Sequence, residues 1–478
     1  MMKSLAICIL CTLAASSAAA PAAAEAPGPA SQTLALVGGV LLDGTGGPPV
    51  PDAAVVIRGG RIECAGSRAA CPLPEGARTI DAAGRWITPG IVDSHVHFCQ
   101  TGWLDGRPDF MDVRDRFPYE QVAAGLRGQP ERFLRSYLCS GVTAVFDVGG
   151  YPWTWDLRGR AEADPFAPRV AASGPLLSTL DFWLNLPAER QFIYLADEKT
   201  ARDGVSYLAA SRADAVKIWF IPAQKRLPDE MAAVVRAAGE EARRHGLPLI
   251  VHATGLQEAK EALRAGARLL VHSVEDAPVD EEFLAAARAN RTIYCPTLTV
   301  RDGYMAASEA ALSGNAPALD DPNHCVDRVT AEHVAATAAF GSGKLDPEAL
   351  ASRRAAYATR KTHQTENLMR VVKAGIPVAM GTDAGNPLTL HGPSVYAEME
   401  AMQAAGMTPM QVLVASTRTA AEAMGRAKDF GTIEKGKLAD LLLLEADPAA
   451  DIRNMRRLRT VVRGGEVHPV EALRAPGR

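Results

Sequence analysis

His95 and His97 stand one residue apart at the end of an apolar run, Ile87-Thr-Pro-Gly-Ile-Val-Asp-Ser-His-Val-His97. Side chains of a β-strand alternate faces, so both imidazoles point one way and Val96 the other. Two imidazoles on one face of a strand end can grip a metal ion. The motif is short, and a pair of ordinary strand histidines fits it as well. Further groups occupy the same kind of position. Lys217 lies in Ala215-Val-Lys-Ile-Trp219, His252 ends Leu249-Ile-Val-His, His272 ends Leu269-Leu-Val-His, and Asp383 ends Val378-Ala-Met-Gly-Thr-Asp. Any one of them reads as a satisfied core polar residue. Packing alone hardly explains so many at the matching phase of different strands, because charged groups are seldom buried unless paired or bound to a metal. Four histidines and a carboxylate suit zinc or a similar divalent ion. Protonated lysine has three donors and no lone pair, so Lys217 joins such a site only as a neutral amine or after carbon dioxide converts it to a carboxylate.

These positions require a scaffold in which strand ends converge. Apolar runs at 87–94, 142–148, 169–174, 214–220, 248–253, 268–274, 292–298 and 377–382 alternate with helical stretches. That pattern predicts an α/β fold, a closed parallel (β/α)8 TIM-like barrel over 87–428 with its chemistry at the strand C-termini. One repeat shows the logic: Thr254 is a candidate helix cap, the helix runs to about Ala265, Gly266 ends it, and Arg268 re-enters the barrel. The 301–365 connection is long. It carries Ala-rich helical stretches with a break at Gly341-Ser-Gly343, and reads either as a lid at the barrel mouth or as packing outside it. Short β-like runs fill 33–86, with Gly59-Gly60 as a hairpin turn, and return over 429–470. Both chain ends are therefore expected to share one small β-sandwich domain, with 471–478 as a tail.

In order, His95-Val-His97, Lys217, His252, His272 and Gly381-Thr-Asp383 resemble the metal-binding pattern of the amidohydrolase superfamily. Pro89-Gly-Ile-Val-Asp93 and Gly436-Lys-Leu-Ala-Asp440-Leu are similar to its flanking segments. The resemblance implies the distorted barrel with its sandwich, and a carboxylated Lys217 bridging two divalent metal ions, with zinc the expected metal. It also implies that His95, His97 and Asp383 hold the first metal, His252 and His272 the second, and that Asp383 moves the proton in amide hydrolysis. Lys217 on the fourth strand, Cys295-Pro-Thr297 and His391-Gly-Pro look most like the prolidase-like or dipeptidase-like branch, which implies a dipeptide or N-acylated amino acid as substrate. His391, Arg301 and Tyr304 are candidates to meet a substrate carboxylate or carbonyl. The same centre also suits cyclic amides, lactones or phosphoesters, and a silent binding barrel is the remaining alternative.

With 478 residues, 47% of them apolar, a large core is affordable, and a net charge of -4 without basic runs gives no sign of nucleic-acid binding. The expected partner is a small-molecule substrate; self-association into a homo-oligomer stays open. Lys3, the apolar Leu5–Ala15 run and Ala22-Ala-Ala24 resemble an export signal over 1–24, with a flexible leader at 25–32, so a periplasmic or secreted protein is expected. The apolar run is too short to span a membrane. In an oxidising compartment Cys64 and Cys71, which flank a short turn, are the best-placed disulfide pair.

Overall fold

The computed structural model describes residues 33–181, 191–222, 226–340 and 347–475. The signal and leader segments and the Gly341–Gly343 break lie outside the described residues, as do 476–478.

Parallel strands supply the frame. Ile91–Val96, Val142–Asp147 and Arg169–Ala172 form one sheet. Leu176–Ser178, Val216–Trp219, Leu249–His252, Leu269–Val271 and Ile293–Cys295 run in a second, edged by the extra strand Phe192–Tyr194. Backbone bonds link the sheets into a ring: Asp214 N–H to Ala172 O (3.1 Å), Tyr294 N–H to Pro377 O (2.9 Å) and His97 N–H to Ala384 O (2.8 Å). The expected eighth strand, 377–382, is reduced to isolated bridges at Val378 and Ala384. Its backbone turns at Asp383, which is left-handed (φ 62°). At Gly381 a Cβ would sit 2.6 Å from Cys295 Sγ and 2.8 Å from His95 Cβ, so only glycine lets this segment close the ring.

Alternation sorts the strand residues. Val216, Ile218, Leu249 and Val251 pack outward against the helices. Val92, Ala144, Phe146, Ala215, Ile250, Leu269, Ile293 and Ala379 fill the interior. Lys217 and His252 share the inward phase and sit one step further along, where the apolar filling stops. The helices follow local capping chemistry. Asp280 accepts from Phe283 N (3.0 Å) to start Glu281–Asn290. Thr254 is not the cap of Leu256–Arg264; Asp276 Oδ1 takes the Leu256 N–H (2.9 Å) from the next loop. Gly266 (φ 89°) ends the unit as expected.

The expected first barrel strand, 87–94, is two strands. Trp86–Pro89 pairs with Leu34–Leu41 and Leu441–Leu444 in the terminal domain, and the barrel strand begins only at Ile91. Proline and glycine at 89–90 divide the run, because proline has no N–H for continuous pairing. The terminal domain is an eight-stranded sheet built from both chain ends. Gly59 (φ 56°) and Gly60 (φ 75°) turn the hairpin between Arg58 and Arg61, as two consecutive positive angles demand. The first residues of the expected 471–478 tail belong to a helical turn, Val470–Leu473, whose Ala472 and Leu473 carbonyls accept from Arg135.

Cys64 pairs with Cys71, and a second disulfide joins Cys139 to Cys325, 186 residues apart, tying the 301–365 insertion to helix Glu131–Cys139. The longer loop constrains the unfolded chain more. Cys139→Ser is therefore expected to lower the unfolding free energy by about 2–5 kcal/mol, read as a fall in denaturation midpoint. Non-reducing peptide mapping checks both pairings, and free thiols at Cys139 and Cys325 would refute the second.

Candidate active site

Five of the six strand-end groups, His97, Lys217, His252, His272 and Asp383, line a cavity of about 560 Å³ at the C-terminal mouth, and His95 is fully buried outside its lining. The insertion supplies the facing wall: Arg301 and Tyr304 lie on helix Val300–Ser313, and Tyr357 and Arg360 on Pro347–Lys373. Of its two expected roles, walling the mouth is the one observed.

At the centre, His95 Nε2 lies 3.3 Å from His97 Nε2, from Lys217 Nζ and from Asp383 Oδ1. His97 Nε2 is 3.2 Å from the same carboxylate oxygen. The His272 ring is 5.0 Å from His95, and His252 is 4.3 Å from His272. A carbonyl sets the tautomer of His97: its Nδ1 donates to Gly149 O (2.7 Å), which leaves Nε2 with its lone pair. His272 Nδ1 meets the hydroxyl of Thr297 (2.6 Å), which orients the ring. Thr297 is held in turn by the loop beside Glu398, which accepts from Leu298 N and Thr299 N (2.7 and 2.9 Å). Asp93 accepts from Thr382 N and Oγ1 (3.0 and 2.6 Å), pinning the Asp383 segment to the His95 strand. His272 (φ 74°), Thr297 (φ 42°) and Asp383 (φ 62°) are left-handed, a concentration of backbone strain at one site.

Burial pushes His95, His252 and His272 well below the ordinary imidazole range, with the Lys217 charge adding to it. Burial likewise brings Lys217 down to about 8. For the three histidines the shift favours the neutral imidazole, the form that ligates metals. The donor set fits a divalent cation. Two imidazole Nε2 atoms and a carboxylate oxygen crowd one point, and His95 Nδ1 is buried without a hydrogen-bond partner, so the protein alone satisfies neither tautomer of His95. His95, His272 and Asp383 place ligand atoms within 4.8 Å of one another.

The residues proposed for substrate contact divide. Arg301 lines the cavity but is engaged by Glu275, with Nε 2.6 Å from Oε2. Tyr304 lines it too and donates to Asn386 Oδ1 (2.6 Å). His391 does not reach the cavity. It is buried against Phe133 (ring centroids 4.1 Å) and Phe98 (5.8 Å), and its Nε2 meets His97 O (3.1 Å), so it buttresses the His97 backbone instead. The loop Tyr151-Pro-Trp-Thr-Trp155 that follows Val142–Asp147 buries Tyr151 and Trp153, with Tyr151 bonded to Tyr119 and Gln191.

Sequence reasoning passed over Arg107, Asn386 and Glu275. Arg107 chelates Asp109 (2.9 and 2.7 Å) and donates to Asn386 Oδ1, while Asn386 Nδ2 donates to the Asp383 carbonyl (3.0 Å). The only trace of this network in the sequence is that Asn386 closely follows Asp383.

An amidohydrolase family model matches residues 86–467, which takes in all six candidate ligands. An imidazolonepropionase of Caulobacter vibrioides is 29% identical over 441 residues, spanning 84% of this chain and 90% of that protein. Among solved structures, a Xaa-Pro dipeptidase with bound methionine aligns with a TM-score of 0.71 at 20% identity, covering 92% of this chain and all of that one. Molinate hydrolase aligns with a TM-score of 0.67 at 24% identity, covering 93% and 96%. With strand-end ligands, barrel and terminal domain in agreement over this length, the chain belongs to the amidohydrolase family, the metal-dependent hydrolases of carbon–nitrogen bonds.

Proposed function

We propose that the protein is an exported, binuclear amidohydrolase that cleaves a dipeptide or an N-acylated amino acid, with Lys217 carboxylated and Asp383 as proton shuttle. The observation that carries this reading is the setting of Lys217. Lys217 is 1% exposed, and its amine meets His95 Nε2 at 3.3 Å and has no ion pair among the described residues. A buried, unpaired cation among four imidazoles is costly. Carbon dioxide adds to the amine with loss of one proton, and the resulting carbamate is an anion that can serve two cations. His95, His97 and Asp383 would hold one metal, His252 and His272 the other, with Lys217 between. A divalent ion bound there supplies an acidified water and polarises the scissile carbonyl. Asp383 can accept a proton at a carboxylate oxygen and return it to the leaving nitrogen.

A mixed library of dipeptides and N-acyl amino acids, read by mass spectrometry, tests the substrate class. Release of amino acids from members of the library is expected, and no release from any member by metal-loaded protein would refute it. A second reading is favoured by the similarity to imidazolonepropionase: opening of an imidazolone-type ring. Ring opening with no dipeptide cleavage in the same assay would establish that reading.

Tyr304→Phe removes the hydroxyl that donates to Asn386, which in turn holds the Asp383 backbone. Loss of one such bond is expected to cut kcat by roughly threefold to tenfold with the fold intact. Steady-state kinetics beside a circular dichroism spectrum decide it; unchanged kcat would show that Arg107 alone holds Asn386.

Export rests on the Lys3 to Ala24 pattern. N-terminal sequencing of protein from its native host is expected to start near Glu25; active protein carrying Met1 would contradict it.

A further inference from the structure

The insertion's wall of the cavity carries charge that the hydrolytic centre does not use. Arg353, Tyr357, Arg360 and Gln364 all line the cavity from helix Pro347–Lys373. Their spacing of four, three and four residues puts them on one face of the helix. That face is held in place. Tyr357 donates its hydroxyl to Asp302, and Lys361 Nζ reaches Asp302 Oδ2 (2.9 Å) and Leu298 O (2.7 Å). At the buried end of the face, Glu275 is 5% exposed and already accepts from Arg301 Nε (2.6 Å), Arg360 Nη1 (3.4 Å) and Gln364 Nε2 (3.3 Å). At the other end, Arg353 is exposed and forms no ion pair among the described residues. Elsewhere in the lining, Arg107 is matched by Asp109 (2.7 Å). Arg301, Arg353 and Arg360 thus share one carboxylate, Glu275, so this wall is positive in a chain whose net charge is -4.

We infer that this wall is a subsite for a dianion: Arg360, beside Arg301, pairs with one carboxylate, and Arg353, towards the exposed end of the helix face, pairs with a second. Resting on the hydrolytic reading above, this names the substrate class as dipeptides or N-acyl amino acids in which aspartate or glutamate supplies both carboxylates. Arg353 and Arg360 are two helical turns apart, a rise of about 10 Å. Their long side chains can close from one face on the two carboxylates of a single amino acid. A guanidinium matches a carboxylate with paired N–H donors, and such charge-assisted bonds are stronger than neutral ones. A cleft lined by one sign of charge also draws the opposite charge in. A substrate with one carboxylate would leave Arg353 facing only water.

Binding of unreactive acids reads the subsite without turnover. Glutarate is butyrate with one further carboxylate, so the pair isolates the second charge. Isothermal titration of the metal-loaded enzyme at low salt is expected to show glutarate binding about tenfold or more tightly than butyrate, with the margin shrinking as salt is added. Arg353→Met should remove most of that preference and leave butyrate within about twofold. Arg353→Lys should keep a good part of the preference, since the second carboxylate needs the charge. Arg360→Met should weaken both acids by a similar factor. Equal affinity of the two acids would overturn the inference, as would a preference undiminished in Arg353→Met. Unchanged affinities in Arg360→Met would place the first carboxylate on the metal centre and also overturn it. Because the readout is binding, an enzyme that prefers glutarate yet cleaves no amide refutes the hydrolytic reading alone. One that cleaves neutral dipeptides and binds the two acids equally refutes the subsite alone.

Discussion

Lys217→Ala is expected to lose most bound metal and to lower turnover by at least about a hundredfold, with partial rescue by acetate or propionate. Removing the side chain leaves a buried gap between four imidazoles and Asp383, where a carbamate would have served both cations. Without that anion two cations bound there would repel each other in a low-dielectric site, so loss of at least one is expected. A short carboxylic acid restores an anion of similar shape to the gap. Metal content by plasma mass spectrometry and kinetics with added acid are the readouts. Full occupancy and wild-type rate in the variant would rule out the bridging role.

Asp383→Asn separates holding from proton transfer. The amide keeps the shape and one ligating oxygen, but near neutral pH it cannot accept a proton and return it. The fold should survive, since the Asp383 backbone is held independently: its N–H donates to His95 O (2.7 Å) and its carbonyl accepts from Asn386. Most of the metal should survive too, held by the four histidines and Lys217. Turnover should fall by about 10² or more. His95→Asn should do the reverse, losing metal first and regaining rate in excess zinc. Near-full turnover in metal-replete Asp383→Asn would assign the shuttle elsewhere. His391 is a poor substitute, being sealed behind His97 among Phe98, Phe133 and Tyr137.

Most of the candidate ligands were legible because they sit at or near the ends of apolar runs, and the barrel makes those ends meet: strand phase alone turns His95, His97, Lys217 and His252 inward. Asp383 was legible for a different reason, since Gly381-Thr-Asp383 is a tight motif whose glycine has a steric cause. What was not legible lies in loops. Arg107 and Asn386 meet across a long sequence separation, and nothing periodic marks them. The direction of His391 is set by the aromatic side chains of other elements, so a loop histidine two residues before a proline gave no clue to it. The Cys139–Cys325 bridge depends on where the insertion docks, which spacing does not reveal. The division of the first strand at Gly90 was visible as Pro89-Gly90, yet both halves are apolar and the boundary between domains is a matter of pairing partners.

The central claim is a two-metal centre built on a carboxylated lysine. Elemental analysis of protein reconstituted with zinc and bicarbonate, beside protein reconstituted without carbon dioxide, tests it most directly. About two zinc ions per chain are expected with bicarbonate and clearly fewer without it, activity following the metal. One ion per chain at full activity, indifferent to bicarbonate, would contradict it.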